Sequence, residues 1–135
     1  MNQVLRNIIG VIVGIIVGGL SIAILENITH TMFPMPEIVN EATFTKYMNE
    51  APATSLLMVI AAHGLGAFVS AFFVPFITKN KDWRIVLIPT SFFFTGGIVN
   101  FLTIAHPTWM IPVDLMIYFP AGYIAMTLKT KGRFF

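Results

Sequence analysis

The sequence predicts an all-α membrane protein in which four transmembrane helices form an antiparallel bundle. The first observation is composition: 56% of the 135 residues are hydrophobic, 10% are charged, and the mean hydropathy is +0.82. Soluble domains carry about 25% charged residues, and a soluble chain of this length could not bury so much apolar surface. The other two observations are four long apolar runs and a one-sided distribution of basic residues.

The apolar runs predict spans at about residues 8–28, 53–77, 85–105 and 109–128. Each falls within or near the ~17–25 residues with which a helix crosses a bilayer. The first run follows Arg6, as a signal peptide would, but it is longer than the usual apolar signal core of ~7–15 residues. We therefore interpret it as a span and treat residues 1–135 as a single four-helix transmembrane domain.

The basic residues predict the orientation in the membrane. One side of the threaded bundle carries Arg6, Lys79, Lys81, Arg84, Lys129, Lys131 and Arg133, and the other side carries Lys46 alone. Because cytoplasmic segments are enriched in Lys and Arg, both termini are expected in the cytoplasm. This membrane topology also explains the basic pI without nucleic-acid binding, which we do not expect.

The segment between the first two spans predicts a short amphipathic helix outside the membrane. Pro34 and Pro36 end the first helix, and Asn40 is a suitable N-cap for a second. The apolar residues that follow recur with helical spacing and are Phe44, Tyr47, Met48 and Ala51. This pattern is typical of a helix that lies on the bundle or in the headgroup region.

Small residues predict two close helix contacts. One face is formed by Gly10, Gly14 and Gly18, and the other by Ala62, Gly66 and Ser70. Small residues at this spacing let helix backbones approach each other in a membrane. One bundle needs only one such face inside, so the second favours a partner subunit or a homo-oligomer.

Polar residues in the spans predict a pocket that opens to the outside. Counted at ~1.5 Å per residue, His63 lies ~15 Å and Asn100 and Asp114 lie ~8 Å from the outer ends of their spans. The pocket candidates are His63, Asp114, Asn100, Glu26, His30, His106 and Tyr118. Ionisable groups inside a membrane are candidates for a functional site. The alternative, in which they only join helices through hydrogen bonds, remains open.

A metal site is an alternative interpretation of the same residues. Ligand distances of ~2 Å require a compact set, which is either a rim set (Glu26, His30, His106) or a deep set (His63, Asp114, Asn100). There is no H-E-x-x-H or G-x-S-x-G element and no cysteine, so no catalytic residue is assigned. The metal therefore remains unassigned, and bound lipid is the cofactor that we expect.

Several short motifs are similar to those of a family of small bacterial four-helix membrane proteins with no assigned activity. They are Glu26 with His30, the segment around His63, Gly96-Gly97 with Asn100, His106-Pro107 with Trp109, and Asp114. The resemblance covers nearly the whole chain. It implies that the outer polar residues belong together and that the protein is in the bacterial cytoplasmic (inner) membrane.

Three classes of function remain at this point. The first is a non-enzymatic oligomer or accessory subunit of a larger membrane assembly. The second is a small transporter, or a protein that binds a ligand or ion in the outward-facing pocket. The third is a membrane enzyme with a His/Asp/Glu metal site. We rank them in that order, with membrane lipids and other membrane subunits as expected partners.

Overall fold

The computed structural model describes residues 2–37, 40–79 and 82–130, with only the backbone of residues 129 and 130. The described chain is all-helical, and its five helices are α1 (Gln3–Met32), α2 (Glu41–Glu50), α3 (Ala53–Thr78), α4 (Trp83–Thr103) and α5 (Met110–Thr130). Helices α1, α3, α4 and the Met110–Leu128 part of α5 are long and apolar enough to cross a membrane. The chain is therefore a multi-pass membrane protein. Of the basic residues used above, Lys81, Lys131, Arg133 and the Lys129 side chain lie outside the described residues.

Helix α1 is longer than the predicted span of residues 8–28, and the polar residues that follow this span stay helical as far as Met32. The hydroxyls of Thr29 and Thr31 each donate a hydrogen bond to the backbone carbonyl four residues earlier, at 2.9 Å. The helix ends at Met32, just before the Pro34 that was expected to stop it. Glu26 consequently lies ~9 Å inside the end of α1.

The two small-residue faces contact each other along α1 and α3. A Cβ atom at Gly14 would lie 2.8 Å from Val74 Cγ2, and one at Gly18 would lie 2.7 Å from the Gly66 carbonyl oxygen. Gly10 faces Thr78 in the same way. The contacts run in opposite order along the two helices. The small-residue face of α1 therefore packs against the small-residue face of α3.

Helix α3 is the central helix, because it packs against α1, α4 and α5. Its small residues Ala62, Ala67, Ser70 and Ala71 are completely buried. At one end of the helix, Ala71 and Val74 pack with Val86 of α4 and Ala125 of α5. His63 lies in the same buried face of α3, at the point where α1 and α5 both approach it.

Helix α2 packs on the other end of α3. The Asn40 side chain accepts a hydrogen bond from the Thr43 backbone N–H at 2.9 Å, so the expected N-cap is confirmed. Met48 is buried with Leu56 and Ile60 of α3 and Met110 of α5. Partly buried residues against this cluster include Phe44, Tyr47 and Ala51. The apolar residues with helical spacing are therefore the ones through which α2 contacts the other helices.

Candidate functional site

His63 lies between two carboxylates that come from different helices. Its Nδ1 is 2.6 Å from Asp114 Oδ1 on α5, and its Nε2 is 3.3 Å from Glu26 Oε1 on α1. The Tyr118 hydroxyl donates a hydrogen bond of 3.2 Å to the second Asp114 oxygen, Oδ2. We call Glu26, His63, Asp114 and Tyr118 the His63 cluster. It joins α1, α3 and α5 through polar contacts inside the apolar part of the chain.

The two hydrogen bonds of His63 set the smallest number of protons that its contacts with the carboxyl groups require. A hydrogen bond between a ring nitrogen and a carboxyl oxygen needs one proton, which either atom can carry. The two contacts of His63 therefore need at least two protons, and we consider the arrangements with two. An imidazolium with two carboxylates carries a net charge of −1, and moving either proton onto a carboxyl group leaves that total unchanged. The His63 cluster is thus anionic in each of these arrangements.

Asp114 and Tyr118 form the closed end of the His63 cluster. They are one helical turn apart on α5, so their side chains lie on the same face. Asp114 is fully buried, and both of its oxygens have hydrogen-bond partners. The Tyr118 ring is buried and lies nearly parallel to the His63 ring, with a centroid distance of 6.0 Å. Asp114 has no exposed surface for an incoming molecule, and the Tyr118 hydroxyl already donates its proton to Asp114.

Glu26 is the accessible end of the cluster. Its side chain is 36% exposed, against 0% for Asp114. Within the described ranges its only hydrogen-bonded or ionic contact is between Oε1 and His63, so Oε2 is available as an acceptor. Because α1 packs against α3 and the glutamate side chain is long, Glu26 can reach from α1 to His63 on α3.

Two cavities meet at Glu26. The outer cavity, of about 260 Å³, lies under α2 and is lined by residues that include Glu26, His30, Tyr47, Met48, Asn100 and His106. The lateral cleft, of about 290 Å³, lies between α1 and α4 and is lined by residues that include Ile22, Glu26, His63, Phe92, Gly96, Asn100 and Tyr118. Glu26 and Asn100 line both. A molecule in either cavity would therefore meet these two polar side chains.

The remaining predicted pocket residues take other positions. Asn100 does not bind Asp114, and its side-chain amide has no hydrogen-bond partner among residues 2–37, 40–79 and 82–130. His106 donates from Nδ1 to the Ile104 carbonyl at 2.7 Å and packs edge-on against Phe101. His30 is exposed. Both histidines line the outer cavity, but neither joins the His63 cluster.

The separation of the polar residues into a rim set and a deep set is wrong for Glu26. This residue was grouped with His30 and His106, yet its carboxylate contacts His63. The physical reason is that positions counted along each helix ignore the length and direction of the Glu26 side chain, which reaches from α1 to His63 on α3.

Neither metal-ligand set is assembled in the part of the chain that the structure describes. No group of three His, Cys, Asp or Glu side chains there is placed to hold a metal ion. Glu26 and Asp114 contact opposite nitrogens of the His63 ring. A metal on one ring nitrogen would therefore have only one of these carboxylates beside it.

Comparison with protein-family models, with curated proteins and with solved structures finds no match for this chain. The resemblance to small bacterial four-helix membrane proteins therefore stays a prediction. The His63 cluster and the two cavities beside it are the features of the chain that bear on its function.

Proposed function

We propose that this protein is a binding protein or small transporter that takes up an amine-bearing ligand from the outer side of a bacterial inner membrane. The observation that carries the proposal is the position of Glu26. Its carboxylate belongs to an anionic cluster within the spanning helices, and one of its oxygens is available in the wall shared by two cavities. A protonated amine supplies both the positive charge and the N–H donors that this oxygen can accept.

The proposed orientation has four antiparallel spans, both termini in the cytoplasm and α2 as an amphipathic helix on the outer side. The excess of Lys and Arg in the segments on one side of the threaded bundle supports it. The reversed order of contacts between α1 and α3 supports opposite directions for these two helices. In this orientation α2 covers the outer cavity, and a ligand from outside passes α2 to reach Glu26.

The exposure of Glu26 favours a binding site over a purely structural polar contact. Three helices could be joined by partners less exposed than Glu26, as α3 and α5 are through His63 and Asp114. A charged group at the centre of a spanning helix costs about 2.5–3.5 kcal/mol on insertion scales and less near the interface. Glu26 adds such a group while leaving one oxygen available. A cationic ligand at this oxygen offsets part of that cost.

One observation that favoured the accessory-subunit function in the sequence analysis no longer favours it. That prediction rested on a second small-residue face left over for a partner, but the two faces contact each other. Assembly with other subunits or with a second copy therefore stays a prediction that rests on the small size of the chain. Measurement of the native mass in mild detergent tests it independently of ligand binding.

The experiment for the proposed function uses propylammonium as a soluble probe. The purified protein in nonionic detergent is unfolded by heat across a propylammonium chloride series, with sodium chloride at equal ionic strength as the reference. Binding to the folded state raises stability by RT ln(1 + [L]/Kd), or about 2.7 kcal/mol at 100 times Kd. We expect a concentration-dependent rise in the unfolding midpoint for the natural protein and none for Glu26→Gln.

Glu37→Gln is the matched control, because Glu37 is an exposed carboxylate outside the helices. It removes the same charge and should keep the full propylammonium effect. An equal effect of propylammonium and sodium in the natural protein, or an undiminished effect in Glu26→Gln, would overturn the proposed function.

A further inference from the structure

We infer that the ligand is a membrane lipid with a primary ammonium headgroup, such as phosphatidylethanolamine, and that it enters the protein sideways through the lateral cleft. This inference rests on the proposed function, because it places the amine at Glu26. It adds the chemical class of the ligand and the route by which the ligand arrives. Three features of the lateral cleft support it: its opening, the chemistry of its walls and the groups at its polar end.

The lateral cleft opens between α1 and α4 toward the surface of the spanning helices. At Gly96 a Cβ atom would have no protein atom within 4 Å, so the cleft wall is open there. Phe92, one turn away on α4, is 55% exposed. Below this level the two helices close again, since a Cβ atom at Gly18 would lie 2.9 Å from Phe93. The opening therefore faces acyl chains when these helices cross a membrane.

The walls of the cleft are suited to a hydrocarbon chain. Ile22 contributes an aliphatic side chain from α1, and Phe92 and Phe93 contribute aromatic rings from α4. Gly96 has no side chain, which leaves a groove between these groups. A small soluble amine has little apolar surface to bury against such walls, whereas an acyl chain buries apolar surface against them.

The polar end of the cleft selects the headgroup. Glu26 offers a carboxylate oxygen, and Asn100 offers an amide oxygen that accepts no hydrogen bond from the described residues. A primary ammonium has three N–H donors, and a quaternary ammonium such as choline has none. The Asn100 NH₂ group can in turn donate to a lipid phosphate. The anionic His63 cluster disfavours lipids whose headgroup carries no positive charge.

Native mass spectrometry of the full-length protein tests the inference. The protein is released from nanodiscs that contain equal parts of phosphatidylethanolamine, phosphatidylcholine and phosphatidylglycerol with identical acyl chains. We expect phosphatidylethanolamine to be retained at least tenfold in excess of either other lipid. Glu26→Gln should bring the three lipids to similar levels, because it removes the charge that attracts the ammonium.

Gly96→Leu tests the cleft itself by filling the open wall, and Gly19→Leu is the matched control. Gly19 is also helical, and a Cβ atom there has open space around it, but it does not line the cleft. We expect Gly96→Leu to lose most of the retained phosphatidylethanolamine and Gly19→Leu to keep it. Gly96→Ala, which adds one methyl group to the same open wall, should show a partial loss and guards against misfolding of the larger variant.

The outcomes separate this inference from the proposed function. If propylammonium binds through Glu26 but the three lipids are retained equally, the lipid inference is overturned and the proposed function stands. If Gly96→Leu and Gly19→Leu retain the same amount of phosphatidylethanolamine, the lateral route is overturned. If propylammonium does not bind but phosphatidylethanolamine is retained through Glu26 and Gly96, uptake of a soluble amine from the outer side is overturned and the lipid inference stands. If neither probe depends on Glu26, both proposals fall.

Discussion

His63 and Asp114 are joined across α3 and α5 by a contact of 2.6 Å between Nδ1 and Oδ1, and Asp114 has no exposed surface. Each residue is therefore the main polar partner of the other within the spanning helices. Removal of one leaves the other with a poorer set of hydrogen bonds, because Asp114 then keeps only Tyr118 and His63 keeps only Glu26. The energetic dependence between them can be measured.

We expect His63→Leu and Asp114→Leu to be coupled in their effect on stability. Hydrogen bonds between helices in a membrane are worth about 1–2 kcal/mol in model peptides and less on average in proteins. Each single change should lower the free energy of unfolding by about this amount. The double change should cost less than the sum, with a coupling energy on the order of 0.5–2 kcal/mol. Unfolding in a titration of sodium dodecyl sulfate measures all four variants.

His30→Leu provides the control for this cycle. His30 is exposed and does not belong to the His63 cluster. Its change should be additive with Asp114→Leu within about 0.3–0.5 kcal/mol. Strict additivity of His63→Leu and Asp114→Leu would show that their contact contributes nothing to stability.

Two adjacent glycines of α1 should respond very differently to the same added methyl group. A Cβ atom at Gly18 would lie 2.7 Å from the Gly66 carbonyl oxygen, whereas at Gly19 it would meet nothing within 4 Å. Gly18→Ala should therefore force α1 and α3 apart and lower the unfolding midpoint, at a cost of about 1–3 kcal/mol. Gly19→Ala should be neutral or stabilising, since alanine favours a helix by up to ~1 kcal/mol. Equal midpoints for the two variants would contradict the close contact.

The general architecture could be predicted from the sequence, because hydrophobicity and length alone identify helices that can span a membrane. Residues 2–37, 40–79 and 82–130 contain four such helices, in the predicted parts of the chain. The residues at which the helices end were less predictable. Residues such as Thr29 look like the end of a span by composition, but their hydroxyls bond to their own helix and do not interrupt it.

The partners within the candidate site could be predicted only in part. Positions counted along each helix place His63 and Asp114 in the same region, and the structure brings them into contact. Counting treats each helix as a rod perpendicular to the membrane and ignores side-chain length. It therefore separated Glu26 from His63, although a glutamate one helix away can bridge several ångströms of depth. The lateral cleft has no sequence signal apart from Gly96, because it depends on how α1 and α4 diverge.

Gly97 should control the position of the Tyr118 hydroxyl. A Cβ atom at Gly97 would lie 2.9 Å from the Tyr118 oxygen and 3.2 Å from the ring. Gly97→Ala should displace the ring and weaken its hydrogen bond to Asp114, which is worth about 0.5–1.5 kcal/mol. Thermal unfolding of Gly97→Ala beside Gly96→Ala, where the Cβ atom has open space, measures the effect.

The same variant in a Tyr118→Phe background identifies the cause of that destabilisation. Removal of the hydroxyl removes both the nearest clash and the hydrogen bond to Asp114. Gly97→Ala should then cost less than it does in the natural protein. An undiminished cost would assign the effect to the ring or the backbone and not to the hydroxyl.

The proposed orientation predicts which side of the membrane each connection reaches. The chain has no cysteine, so single cysteines can be introduced without removing native ones. Glu50 and Arg84 are suitable positions because both are exposed, at the end of α2 and the beginning of α4. In intact cells a membrane-impermeant maleimide should label Glu50→Cys and not Arg84→Cys. Permeabilised cells should show both labelled, which controls for reactivity. The reverse pattern in intact cells would place the outer cavity on the cytoplasmic side, and a ligand could then reach Glu26 through α2 only from within the cell.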